Sequence, residues 1–371
     1  MVEFPDNNWK DYELLDSGCG EKLERFGSVV TVRPEPKALW DRSMPETEWR
    51  HLAHFSFKLA STQNAGRDAG KGGKNAGSGS IEDRGTWERH KKADDQWYIR
   101  YASATAGTSA AVGAGAADGQ PDGPQFRLRL GLTAFKHVGV FPEQAPNWEF
   151  IYRQVKRITK DTRPKVLNLF AYTGGASLAA KAAGADVTHL DSIKQVVTWA
   201  RGNMEASGLD GIRWIVEDAM KFVQREERRG NLYDGIILDP PAYGHGPNGE
   251  KWKLDDSLFG LLRSVSHILK PQNSFMVLNL YSNGYSAALG ETLVREAFGL
   301  GTNGRALPVL SAPCGTASGA PEKLPFLGVD RRASLPVADG LGADGLTSGE
   351  LALNDRFGKV LPLSIYVRLE R

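Results

Sequence analysis

The densest group of chemistry-bearing residues is Asp239-Pro-Pro-Ala-Tyr243, which closes a strand-like run beginning at Leu232. Two consecutive prolines fix φ through the turn and make it rigid. A carboxylate, a backbone carbonyl and an aromatic ring are then held toward one space. Such a set accepts hydrogen bonds from a planar nitrogen substituent, and the Tyr243 ring can stack on an extruded base. Asp239, Pro240 and Tyr243 are therefore the candidate catalytic residues. The same residues can also do no more than cap a strand and shape a turn, so their surroundings decide between the readings.

A second group lies upstream in Lys165-Val-Leu-Asn-Leu-Phe-Ala-Tyr-Thr-Gly-Gly-Ala-Ser-Leu. An apolar run, a loop ending in Gly174-Gly175 and an alanine-rich segment read as strand, glycine turn and helix, the opening of a nucleotide-binding α/β half. Glycine at the turn lets a ligand approach the backbone. The dinucleotide fingerprint G-x-G-x-x-G is absent, so a ligand without phosphates fits better, and S-adenosyl-L-methionine is one. Asp186-Val-Thr-His-Leu-Asp191 reads as the next strand, ending in a carboxylate able to accept from ribose hydroxyls. Gly211 to Asp218 reads as a third strand with an acidic pair at its end.

These residues need a frame, and the chain supplies one. Leu232 to Tyr243 and Asn273 to Tyr281 read as a fourth and a fifth strand, with helical patterns at Ile193 to Ser207, Ala219 to Arg229 and Ser257 to Leu269. Alternation at this rhythm implies a parallel, doubly wound sheet with polar residues gathered at the strands' carboxyl ends. Helices are also expected from about Trp148 to Ile158 and from Ser286 to Phe298, and a closing hairpin at Glu350-Leu-Ala-Leu and Leu363 to Leu369. Ahead of the α/β part, Asp11 to Gly20 and Gly27 to Pro34 read as two strands around a glycine turn, and Pro36 to Trp49 as holding a short helix. Asp95 to Tyr101 and Gln125 to Leu130 read as further strands. The stretches at about 62–85, 103–124 and 300–348 are rich in Gly, Ala and polar or Pro residues without periodicity, as expected of loops. The expected organisation is a strand-rich accessory domain over 1–134 and a Rossmann-like α/β domain over 135–371, the latter carrying the insertion at about 300–348.

With 371 residues and 41% hydrophobic composition the chain can bury a large core. A formal charge of +2 provides no global field for nucleic acid, so any RNA contact must come from local patches. The two cysteines, Cys19 and Cys314, form neither a metal motif nor a disulfide framework. No signal peptide and no run of membrane-spanning length is legible, and a cytoplasmic protein without metal or membrane partner is expected.

At Asn168-Leu-Phe-Ala-Tyr-Thr-Gly-Gly175 and Asp239-Pro-Pro-Ala-Tyr243 the chain resembles the class I S-adenosylmethionine-dependent methyltransferases of the RlmI and RlmK type, which act on large-subunit rRNA. The similarity runs from about Phe135 to Tyr285. Tyr12-Glu-Leu-Leu-Asp-Ser-Gly and the closing hairpin also look like one bacterial branch of that family. The resemblance implies a class I methyltransferase fold, a mostly parallel sheet with a closing antiparallel hairpin. It implies that Phe170, Ala171, Tyr172, Thr173, Gly174 and Gly175 line the methionine portion of the cofactor. It also implies that Asp191, with Ser192 beside it, holds the ribose, and that Asp218 and the Ala219 backbone meet the adenine. Asp239 to Tyr243 would face the methyl group, and Phe141-Pro-Glu-Gln144 would close over the cofactor.

One departure bears on the reaction. Methylation at C5 of a pyrimidine needs a nucleophilic cysteine, which RlmI-like members carry after the fifth strand. Here that position reads Leu278-Asn-Leu-Tyr-Ser-Asn-Gly284, without cysteine. Methylation of a nitrogen of an rRNA base is the expected activity. Alternatives are a methyltransferase for a small molecule or protein side chain, and a nicotinamide-dependent oxidoreductase, which the missing fingerprint disfavours. Gly244 to Lys253 is glycine-rich enough to move. Its Lys251, Trp252 and Lys253 could bind a phosphate and stack on a base, or Trp252 could begin the packing of the next helix.

Overall fold

The structure, a computed structural model, describes residues 1–60, 84–103, 123–159, 163–281, 284–300 and 345–371. Most of the three expected insertions lies outside the described residues. A short strand, β1 (Val2–Glu3), comes first and pairs in parallel with a strand near the other end of the chain. It is followed by β2 (Tyr12–Gly18), β3 (Glu21–Phe26), β4 (Val29–Pro34), α1 (Glu46–Leu52), β5 (Phe55–Leu59) and β6 (Gly85–Arg89), whose strands form one sheet in the order β2-β3-β4-β5-β6.

Three strands thus stand where the sequence suggested two. The extra one, β3, has four charged residues among its six, yet Lys22 and Glu24 are buried. Glu24 accepts hydrogen bonds from the Tyr12 hydroxyl at 3.0 Å and the Arg33 guanidinium at 2.5 Å, while Lys22 pairs with Glu35 at 3.4 Å. Charges that find partners inside a sheet hide a strand from a reading based on apolar alternation. The helix also begins later than expected. Residues 36–44 contribute to an irregular segment in which the Met44 amide and the Trp49 indole both donate to buried Asp16.

A two-stranded ribbon follows, β7 (Gln96–Ala102) against β8 (Gln125–Gly131). A 3-10 turn, Pro142–Gln144, leads into α2 (Ala145–Ile158). Next come β9 (Lys165–Leu169), α3 (Gly175–Ala182), β10 (Asp186–Asp191), α4 (Lys194–Ala206), β11 (Arg213–Val216), α5 (Ala219–Arg228) and β12 (Gly235–Leu238). A small hairpin, β13 (Tyr243–His245) and β14 (Lys251–Lys253), precedes α6 (Leu254–Ile268), β15 (Phe275–Leu280), α7 (Ala287–Phe298), β16 (Leu346–Asn354) and β17 (Val360–Glu370).

The main sheet has eight strands in the order β1-β16-β17-β15-β12-β9-β10-β11. The five strands from β15 to β11 are parallel, and β17 runs antiparallel between β15 and β16. Side-chain alternation sorts the two faces. Val166, Ile237, Phe275 and Val277 point into a core shared with α2, α3 and α4, while Leu167, Ile236, Leu238, Met276 and Leu278 point into one shared with α5, α6 and α7. Strands buried on both faces explain the continuous apolar runs. The first core also takes in Trp9, Tyr12, Tyr101 and Phe126, so residues on both sides of position 134 pack together.

The closing hairpin is longer than expected, and its first strand starts inside the stretch expected to be a loop. The register explains why: β16 is bonded along its length to β17 and carries β1 on its outer edge, so backbone pairing compensates for Thr347, Ser348 and Gly349. Among the described residues, no helix is long and apolar enough to cross a membrane.

Candidate active site

β9 lies between β10 and β12, and the chain leaves β9 toward β10 before returning to the other side at β12. This reversal opens a crevice at the strands' carboxyl ends, the position where open α/β sheets bind ligands. The lining of the cavity there includes Phe141, Gln144, Asn147, Asn168, Phe170 to Ala176, Leu238, Asp239 and Asn279.

The turn after β9 is strained. Phe170 and Tyr172 adopt φ of 57° and 48°, and Gly174 adopts 95°. Non-glycine residues hold left-handed angles only where the surroundings impose them. Here the Tyr172 amide donates to Asp191 Oδ2 at 3.0 Å, the Thr173 hydroxyl to the Gly139 carbonyl at 2.7 Å, and Asn203 Nδ2 to the Thr173 carbonyl at 2.9 Å. The two glycines have a packing reason as well as the expected ligand-facing one. A Cβ on Gly175 would lie 2.9 Å from the Trp148 indole, and one on Gly174 would lie 3.2 Å from Ala200 Cβ. They let α3 and the turn sit against α2 and α4.

Asp239 follows β12, half-buried at the cavity wall with its carboxyl enclosed by protein. It accepts a hydrogen bond from Asn279 Nδ2 at 2.8 Å, and Asn279 Oδ1 in turn accepts one from the Ser364 hydroxyl at 3.0 Å. Burial pushes the Asp239 carboxyl up to about 7, the Asn279 bond opposes this, and buried Glu143 adds to it. Glu143 is itself raised, mainly by burial. Gln144 Nε2 donates to the Tyr281 hydroxyl at 2.8 Å, and Gln144 Oε1 accepts from Asn147 Nδ2 at 2.9 Å. The Phe141 ring lies 5.4 Å from Tyr172 and 5.2 Å from Tyr281, making an aromatic cover.

Asn279 and Tyr281 lie in the stretch after the fifth strand and Glu143 in the stretch expected to close over the cofactor, but the sequence assigned none of the three a role of its own. Asn279 had a legible signal, as a polar residue in the otherwise apolar run Phe275-Met-Val-Leu-Asn-Leu280, where burial demands a partner. Glu143 and Tyr281 meet only through the fold.

Asp191, Ser192, Asp218 and Ala219 stand at the ends of the neighbouring strands β10 and β11, beside the cavity rather than in its lining. Asp191 Oδ1 accepts from the Ile193 amide at 3.0 Å, so each of its oxygens already holds a backbone donor. Asp218 caps α5 by accepting from the Lys221 amide at 2.9 Å.

Beyond Asp239 the structure separates residues that the sequence placed together. Tyr243 is 59% exposed. It pairs across the hairpin with Lys253, and His245 pairs with Lys251, so the tyrosine and both lysines share one face. Trp252 points the other way, into the protein, which fits the packing reading. It is 6% exposed, its indole donates to the Pro241 carbonyl at 2.7 Å, and its ring lies 4.9 Å from Phe170. Alternation in a strand puts it under the turn as a support. The stretch expected to move is thus largely a paired hairpin.

A reversal-point crevice, a glycine turn without a phosphate fingerprint, and a carboxylate turn at the fourth strand define a class I methyltransferase. The chain belongs to the S-adenosylmethionine-dependent methyltransferase family, whose model it matches over residues 107–305. A solved S-adenosylmethionine-dependent methyltransferase from Agrobacterium tumefaciens is 33% identical with a TM-score of 0.72, covering 100% of this chain and 93% of that one. A ribosomal RNA large subunit methyltransferase K/L of Pseudoalteromonas atlantica is 31% identical over 156 residues, which are 41% of this chain and 21% of that relative. The corresponding protein of Magnetococcus marinus is 30% identical over 151 residues, 39% of this chain and 20% of its own length.

The crevice suits the family's cofactor. Gln144, Asn147, Asn168 and Asp239 bring amide and carboxyl groups to its lining, and Val140, Phe141 and Leu238 bring apolar surface. Its free volume is only ≈ 60 Å³.

Proposed function

We propose that the protein methylates a nitrogen of a base in ribosomal RNA. The observation that carries this reading is the enclosed Asp239 carboxyl, held by Asn279 and followed by the outward-facing Tyr243. The names of the partial relatives support the choice of rRNA.

S-adenosylmethionine, when bound, supplies an electrophilic methyl group. The chain's own part is alignment and proton handling. Phe170 to Gly175 would line the methionine portion, Asp191 and Ser192 would hold the ribose, and Asp218 with the Ala219 backbone would hold the adenine. Phe141 and Gln144 would close over the cofactor. Tyr243 would stack on the extruded base, with Lys251 and Lys253 beside it for the flanking phosphates. Asp239 and the backbone after it, through Pro240, would accept hydrogen bonds from the target nitrogen. As that nitrogen gains a methyl group it loses a proton, and a carboxyl poised near 7 is suited to accept it.

Cys19 sits in the turn between β2 and β3, away from the cavity lining, and Cys314 lies outside the described residues. The variant Cys19→Ser/Cys314→Ser is therefore expected to keep wild-type transfer activity. Covalent trapping of the wild type on RNA containing 5-fluoropyrimidine would overturn nitrogen methylation. Mass spectrometry of rRNA nucleosides from cells with and without the protein tests the substrate itself. The loss of one N-methylated base is expected, and an unchanged nucleoside profile would remove rRNA as the target.

A further inference from the structure

We propose that the outer face of the β7–β8 ribbon is a docking surface for single-stranded RNA, gripping the strand beside the base that enters the active site. The inference rests on the RNA reading above and adds a second contact region to it.

Register defines the face. Tyr98 stands opposite Arg129, and Arg100 opposite Arg127, so these four side chains point the same way. The alternate residues Ile99, Tyr101, Phe126 and Leu128 are buried on the inner face, and Leu128 lines the cofactor cavity. The ribbon thus adds one side chain, Leu128, to that cavity's lining, while Arg100 and Arg127 are exposed and Arg129 is half-buried on the opposite face.

Two like charges directly opposite one another disfavour a strand pair. Among the described residues, none of the guanidiniums of Arg100, Arg127 and Arg129 forms an ion pair with a carboxylate. Asp11 is close, but its Oδ2 accepts the backbone amide of Arg100 at 2.7 Å. The guanidiniums are instead held by neutral partners. Arg100 donates to Gln125 Oε1 at 2.6 Å and Arg129 to Gln96 Oε1 at 3.2 Å. Arg127 lies over the Tyr98 ring at 5.5 Å and Arg129 over Trp199 at 5.1 Å.

The ribbon is also firmly placed. The amides of Arg127 and Arg129, which would otherwise form a free strand edge, donate to Ser207 Oγ at 2.9 Å and Asn203 Oδ1 at 2.8 Å on and just beyond α4. The face therefore offers three unpaired positive charges and an aromatic ring that is 48% exposed, on a fixed backbone. Phosphates satisfy such charges and a base stacks on such a ring, the combination that single-stranded nucleic acid binding uses. A neutral small molecule or an apolar peptide would leave the arginines unanswered.

The test compares the full-length wild type with Arg100→Ser/Arg127→Ser/Arg129→Ser and with Tyr98→Ala. Binding to a fluorescent single-stranded rRNA fragment is followed by anisotropy over a salt series. Loss of three phosphate contacts should weaken binding at least about tenfold and reduce the slope of log K against log salt by about 2, at about 0.7 per contact. Tyr98→Ala should weaken binding with the slope retained. Arg→Lys at all three positions should restore most of the slope. Affinity for S-adenosylmethionine and the unfolding midpoint should stay at wild-type values in every variant, which separates the effect from misfolding. An unchanged salt slope in a folded serine variant, while the wild type binds and methylates the RNA, would overturn this surface alone. A wild type that neither binds nor methylates RNA would overturn the surface and the substrate assignment together.

Discussion

Asp239→Asn is expected to slow single-turnover methyl transfer by about two to four decades, the range for removing a positioned acid or base. Asparagine keeps an oxygen toward the target nitrogen but cannot take its proton. The wild-type rate should climb with pH through about 7 and then level off, because the carboxyl, raised by burial, accepts a proton only in its ionised form. The variant should lose that rise. A rate that keeps its pH dependence in Asp239→Asn would assign the titration to another group. The same raised carboxyl affects stability, in a definite direction. Its ordinary value is 3.8 and its folded value about 7. Between these the unfolded chain has released a proton that the folded chain still holds, so the contribution is intact below about pH 4 and is lost by pH 7. At about 1.4 kcal/mol per pH unit the interval corresponds to an order of ~4 kcal/mol. Asp239→Asn should therefore raise the unfolding midpoint relative to wild type much more at pH 8 than at pH 5. Equal differences at the two pH values would mean that Asp239 is not held as an uncharged acid.

The same residue shows how much of the molecule could be read in advance. The alternation of strands and helices from Lys165 to Phe298 was legible because parallel strands buried on both faces are continuous apolar runs, and the helices between them are amphipathic. The turns that hold Asp239 and Gly174 were legible because proline and glycine have few explanations. What escaped was set by partners distant in sequence. Strand β3 is stabilised by buried ion pairs, β1 by a strand more than three hundred residues away, and the environment of Asp239 by Asn279, Ser364 and Glu143. Trp252 was ambiguous for a related reason. A tryptophan between two lysines fits an RNA contact as well as a strand's inner face, and only the register of the hairpin decides.

Asp191→Ala should lower affinity for S-adenosylmethionine by two decades or more, a larger loss than a ribose contact alone would give. A charge-assisted hydrogen bond to a ribose hydroxyl is worth about 1.5–3 kcal/mol, and 1.4 kcal/mol is one decade. The carboxylate also holds the backbone, since one oxygen accepts the Tyr172 amide and the other the Ile193 amide, at 3.0 Å each. Tyr172 keeps its left-handed angle of 48° partly through that bond. Without it, two backbone donors are left unsatisfied at about 1–3 kcal/mol each, and the turn that lines the cavity is free to relax to ordinary angles. Asp191→Asn separates the two roles, because its single carbonyl oxygen can serve one amide but not both. It should fall between wild type and alanine in cofactor affinity and in unfolding midpoint. Titration calorimetry of both variants, alongside thermal unfolding, measures this. Wild-type cofactor affinity in Asp191→Ala would remove the carboxylate from the ribose, and a loss of affinity with an unchanged midpoint would leave it only the ribose.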